Sequence, residues 1–148
     1  MKIRKKQAIL LFFLFAAVAA IFFFSAQNGE KSSDLSQIFT EKFLEIFRLE
    51  GVSIGRAEHF LRKTAHFVEF FALGALLCGF LLSLKKTRLF SCLCSLAVAF
   101  CYAAADELHQ YFMPGRAASV KDVLLDGTGA LCGVLLMLSI SLLRRRKR

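Results

Sequence analysis

Four apolar runs separated by short polar segments organise the chain, at residues 8–24, about 64–84, 89–105 and 123–143. Each is roughly 17 to 21 residues long, and at about 1.5 Å of rise per residue it reaches roughly 25 to 31 Å, the thickness of a bilayer's hydrocarbon core. The pattern predicts an all-α integral membrane bundle of four transmembrane helices. Between the first and second runs, Asp34 to Glu50 carries Leu35, Ile38, Phe39, Phe43, Ile46 and Phe47 at helical spacing with charged residues between them, which predicts an amphipathic helix. Asp34 followed by Gln37 resembles a capping box, and Gly51 suits the C-terminal stop. The aromatic face is expected to lie in the headgroup boundary or to cover the bundle as a structural lid.

Punctuation supports the same layout. Pro114-Gly115 marks a turn that makes the third and fourth runs an antiparallel hairpin. Gly129 and Gly133 form a G-x-x-x-G on the fourth run, and Gly74, Ala75, Cys78 and Gly79 line part of the second, so close backbone approach between these two helices is expected. The first run follows Lys2, Arg4, Lys5 and Lys6 as a signal peptide's would. It is longer than the usual signal core, and Phe24-Ser25-Ala26 lacks the small residue a cleavage site needs, so an uncleaved anchor is expected.

Composition strengthens the membrane reading. A hydrophobic content of 57% with 17 Phe in 148 residues is more apolar surface than a water-soluble core can bury, and the length suits a single domain over residues 1–148. A net charge of +9 would suggest a nucleic-acid partner in a soluble protein. Here the charges follow the spans. Four basic residues precede the first run, Lys85, Lys86 and Arg88 separate the second and third, and Arg144 to Arg148 follow the fourth, with no Asp or Glu in these segments. The segment from Gly29 to Lys63 is balanced, with six basic and six acidic residues, and the turn after the third run is also mixed. The positive-inside rule therefore places both termini in the cytoplasm, excludes nucleic acid and leaves membrane lipids as the expected partner. All five cysteines (Cys78, Cys92, Cys94, Cys101, Cys132) lie in apolar runs with no metal or disulfide spacing, and read as small buried apolar residues.

Candidate chemistry gathers at the opposite, outward end. Lys63, His66 and Glu69 share one helix face at spacings of three. Asp106, Glu107 and Gln110 close the third run, with His109 among them, and Asp122 and Asp126 open the fourth. An ionisable group at membrane depth is costly without a partner, so these groups are expected to meet, with Glu69 and Asp106 carrying the greatest cost and His109 and Lys121 exposed. Arg116 would hold a protein carboxylate or a ligand phosphate. One reading is a register-fixing network, with Asp122 capping the fourth helix and Arg116 pairing with Asp106 or Asp122; the other is a functional site. His66, Glu69, Asp106, Asp122 and Asp126 supply metal-ligand atoms without a recognised metal spacing, so no cofactor is expected and a divalent metal stays open as an alternative.

Three segments carry a family resemblance: Arg62-Lys63-Thr64-Ala65-His66-Phe67-Val68-Glu69-Phe70, then Asp106-Glu107-Leu108-His109-Gln110-Tyr111-Phe112-Met113-Pro114-Gly115-Arg116, then Asp122-Val123 with Asp126 before Gly129. Phe24-Ser25-Ala26-Gln27 with Ser32, Ser33 and Ser36 adds to it. The chain resembles VanZ-like proteins, departing from them at Phe70, where Tyr is common, and at Ala105, where Ser is frequent; at Asp126 members carry either Asn or Asp. The resemblance implies a bacterial cytoplasmic-membrane protein in a family named for a member linked to low-level teicoplanin resistance, without supplying a reaction.

Three function classes follow. The leading one is a non-catalytic envelope protein whose outward pocket binds a lipid headgroup, cell-wall precursor or lipoglycopeptide. The second is an acid/base or metal-assisted enzyme on a lipid-linked substrate. A proton-coupled transporter ranks third, because the inner halves of the runs hold almost no ionisable residues.

Overall fold

A computed structural model of the chain describes residues 4–26, 29–48, 51–115 and 117–146. They form five helices: α1 Lys5–Ser25, α2 Gly29–Phe47, α3 Ile54–Ser83, α4 Arg88–Tyr111 and α5 Val120–Arg146. There are no strands among the described residues. Four of the helices (α1, α3, α4, α5) are long and apolar enough to cross a membrane, and only 11% to 33% of the most apolar window of each is buried in the bundle. Phe12, Phe15 and Phe23 on α1, and Leu89 and Leu93 on α4, face outward. Their cost in water is removed when lipid, which is as apolar as the side chains, surrounds them.

The helices overrun the apolar runs because polar caps, and not hydropathy, stop them. Helix α3 begins ten residues before the expected start near Thr64, where the Ser53 side chain accepts the Arg56 N–H at 3.4 Å. Thr87 does the same for Phe90 at the start of α4, at 3.3 Å. Between them Lys85 takes a left-handed conformation, φ 60°, and the chain reverses.

Helix α2 forms as expected but with different ends. It begins at Gly29, so Asp34 is inside the helix and is not its cap. It stops at Phe47 with Arg48 left-handed at φ 50°; Gly51, at φ 80°, belongs to the following turn, and Glu50, the expected end, lies outside the described residues. Thr40 is buried and Phe43 and Leu44 are half-buried as α2 packs on α3, whereas Phe39, Ile46 and Phe47 stay exposed. The aromatic face therefore does not close over the bundle. Its exposed apolar surface suits the headgroup boundary, the other of the two expected places.

The most extensive packing joins α3 to α5. A Cβ added to Gly129 would lie 2.5 Å from the Phe67 carbonyl oxygen, and one added to Gly133 would strike the backbone of Phe71 and Ala75. The G-x-x-x-G thus lets α5 lie directly on α3. Ser91, Ser95, Ala99 and Ala103 form a buried stripe of small residues along α4 at spacings of four. Phe70 fills the core at 0% exposure, its ring 6.2 Å from that of Tyr102. The Tyr102 hydroxyl donates to the Val18 carbonyl at 3.0 Å and ties α4 to α1. The cysteines are free, and only Cys78 is buried; Cys101 and Cys132 face outward, so the expectation of five buried thiols is corrected. An apolar thiol meets no penalty in lipid.

One end of the bundle brings together the start of α1, the end of α3, the start of α4 and the end of α5. Arg4 and Gln7 side chains both donate to the Ser83 carbonyl, at 2.6 and 3.1 Å, and Arg88 Nε donates to the Ser141 hydroxyl at 3.1 Å. Lys85 and Lys86 belong to this end. Lys2, Lys147 and Arg148 lie outside the described residues.

Candidate functional site

The opposite end holds the polar groups of α3, α4 and α5. Five of them are accounted for by contacts within the protein. Lys63 on α3 forms a hydrogen-bonded ion pair with Asp122 on α5. Glu107 Oε2 accepts the Ser119 N–H at 2.9 Å, just where the Ser119 carbonyl accepts from Asp122 and Val123 and α5 begins. Among the described residues, then, a carboxylate from α4 satisfies the backbone at the head of α5. The expected cap, Asp122, turns to Lys63 instead. Gln110 Nε2 donates to Asp106 Oδ2 at 2.8 Å, one turn away on α4.

Burial ranks these groups differently from the sequence reading. Asp126, at 1% exposure, is the deepest, with Asp106, Glu107 and Gln110 also buried. Glu69 was expected among the costliest, yet its side chain is 23% exposed, with Oε2 3.8 Å from His66 Nδ1. Its rotation on α3 leaves one side open. His109 is half-buried and stacks on Phe22 with ring centroids 5.3 Å apart, while Lys121 is exposed as expected. Arg116, singled out as a partner for Asp106, Asp122 or a phosphate, lies outside the described residues, as does Gln27.

Asp126 differs from its neighbours in kind. Both of its carboxylate oxygens are buried with no hydrogen-bond partner among the described residues. A carboxylate oxygen of Asp126, one of Asp106 and a ring nitrogen of His66 lie within 4.8 Å of one another. Of the five candidate metal ligands, these three converge, one each from α5, α4 and α3; Asp122 is turned to Lys63, and Glu69 stands behind His66. They fit a divalent ion's preference for nitrogen and oxygen donors.

Above this triad opens a cavity of about 240 Å³, with His66, Glu107, Gln110, Asp122 and Asp126 in its wall and His59, Arg62 and Lys63 along its α3 side. His59 and Arg62 are additions to the sequence reading. The signal that would have found them is the helical spacing Arg62/His66 and His59/Lys63 (four apart), visible once α3 is known to start before Thr64.

A helical membrane bundle with one polar cavity sunk into one end is thus the class of protein defined by the fold and site. Comparison with known families gives the narrower statement: the VanZ/LLP1 profile matches residues 10–143, and the chain belongs to that family. No curated protein and no solved structure matches the chain.

Proposed function

We propose that the cavity binds the polar head of a lipid-linked envelope molecule, with a cell-wall precursor of the glycan-phosphate type as the best chemical fit. The observation that carries the reading is the division of the cavity: cationic Arg62 and Lys63 on one side, carboxylates and Gln110 in the wall below. A phosphate belongs with the guanidinium and ammonium. Carboxylates are acceptors only, so whatever enters deeper must bring donors, as sugar hydroxyls, amides or an ammonium do.

Location favours the same class. The positive-inside rule assigns the Lys85, Lys86, Arg88 end to the cytoplasm of a bacterial membrane, which puts both termini inside and α2 and the cavity at the outer surface, where envelope lipids are exposed. Sequestering such a molecule, or a lipoglycopeptide that targets it, would alter susceptibility to teicoplanin-type drugs.

The test is binding to the full chain in nanodiscs, measured with a lipid-linked glycan phosphate against phosphatidylglycerol. Arg62→Ala is expected to weaken binding about tenfold, the loss of a charge-assisted hydrogen bond. Equal affinity for both lipids, unchanged by Arg62→Ala, would sink the reading. A second reading, metal-assisted transfer or hydrolysis on the same substrate, draws on the His66, Asp106, Asp126 convergence. Turnover of the glycan phosphate by the purified chain supplied with Zn²⁺ or Mn²⁺ would move it to first place.

A further inference from the structure

The geometry points to a divalent-cation site formed by His66, Asp106 and Asp126, beneath the cavity and independent of what the cavity binds. Three observations carry it. The three donor atoms come from three different helices and converge to within 4.8 Å. Asp126 is 1% exposed, and neither of its oxygens has a hydrogen-bond partner among the described residues. The other carboxylates of the cluster are committed elsewhere: Asp122 to Lys63 and Glu107 to the Ser119 N–H.

A buried carboxylate with no donor is among the most expensive groups a membrane protein can hold. Asp106, buried beside Asp126 and holding the Gln110 amide on one oxygen, adds a second carboxylate that repels the first. A divalent cation removes both costs at once, and the imidazole of His66 completes a mixed nitrogen and oxygen set of the kind that zinc and manganese take. Such ligands stand about 2.0 to 2.2 Å from the metal and so about 3.3 to 3.6 Å apart in a tetrahedral arrangement. Side-chain rotations that draw the donors together by about 1 Å close the present spread to that. Three protein ligands leave positions open toward the cavity, as in sites where a metal takes a further oxygen ligand. Glu69 Oε2 lies 3.8 Å from His66 Nδ1, beyond hydrogen-bond reach, and is not one of the ligands.

The experiment uses the purified full chain in detergent, stripped with chelator and titrated with Zn²⁺ and separately with Mn²⁺, with bound metal read by elemental analysis and Mn²⁺ by paramagnetic resonance. One equivalent of either ion is expected at micromolar free metal. Asp126→Asn and Asp106→Asn are expected to weaken binding at least a hundredfold, while Arg62→Ala, on the cavity's cationic side, leaves it unchanged. Thermal melting of each variant shows that it is folded, and Asp126→Asn serves a second purpose: the metal should raise the melting temperature of the wild type and not that of the variant. Failure of the wild type to retain either ion, or retention by Asp126→Asn and Asp106→Asn equal to wild type, overturns the site. Loss of lipid binding by Arg62→Ala with metal retained separates this result from the fate of the lipid proposal.

Discussion

The two ends of the bundle use charge in opposite ways. At the end where α1 and α4 start and α3 and α5 finish, cations are in excess and need no acidic partner. Arg4 and Arg88 reach backbone carbonyls and a serine hydroxyl, and the Lys86 ammonium lies 5.7 Å from the Phe90 ring centroid. At the other end the acids outnumber what the visible cations can neutralise. Lys63 answers Asp122, the backbone answers Glu107, Gln110 answers Asp106, and among the described residues Asp126 is left without a donor. Long basic side chains can snorkel to water from a helix end, whereas a short Asp side chain about two turns inside a helix, as Asp126 is, cannot.

The contrast can be broken most forcefully through the seam that sets both ends. Gly129→Val drives a side chain into the Phe67 carbonyl and should cost about 3 kcal/mol or more, at the upper limit of overpacking, collapsing both ends together. Thermal melting of the purified chain in detergent would register it. If the melting point stays at the wild-type value, α3 and α5 do not touch there.

Within the cavity end, two carboxylates should respond with opposite signs. Glu107→Ala leaves the Ser119 N–H unanswered and is expected to destabilise by about 1 to 2 kcal/mol, the usual range for a lost helix cap. Asp126→Asn, measured without metal, removes a buried carboxyl group with no donor among the described residues and should leave the melting point equal to or above that of the wild type while abolishing metal uptake. A loss in both would make Asp126 a structural residue like Glu107 and erase the distinction drawn between them.

Smaller effects sharpen the comparison. The Lys63–Asp122 pair is partly exposed, so a double-mutant cycle with Lys63→Ala and Asp122→Ala is expected to give a coupling of at most about 1 kcal/mol. At the basic end, Gln7→Ala loses one bond to the Ser83 carbonyl, which Arg4 still holds, and the Oε1 acceptor of the Arg4 N–H, and should cost about 1 kcal/mol. A larger value at Gln7 than at Glu107 would reverse the ranking of the two ends.

Hydropathy alone determined that there are four spans, that an amphipathic helix separates the first two, and that cations and acids segregate to different ends. Each of these depends on composition along the chain, and apolar length has one meaning in a bilayer. The G-x-x-x-G also announced the α3–α5 seam, since only small residues allow backbones so close. The list of candidate polar residues was legible for a related reason: charge inside an apolar run stands out. Which of them is spent on structure was not. That depends on the rotation of each helix about its axis and on where each starts, and a cap such as Ser53 or Thr87 fixes the start without altering the hydropathy. Glu69 and Asp126 look alike in sequence, as single acids about a turn or two inside a span. Only the packing of α5 against α3 and α4 turns Asp126 inward, away from every donor described, and leaves Glu69 at the edge beside His66.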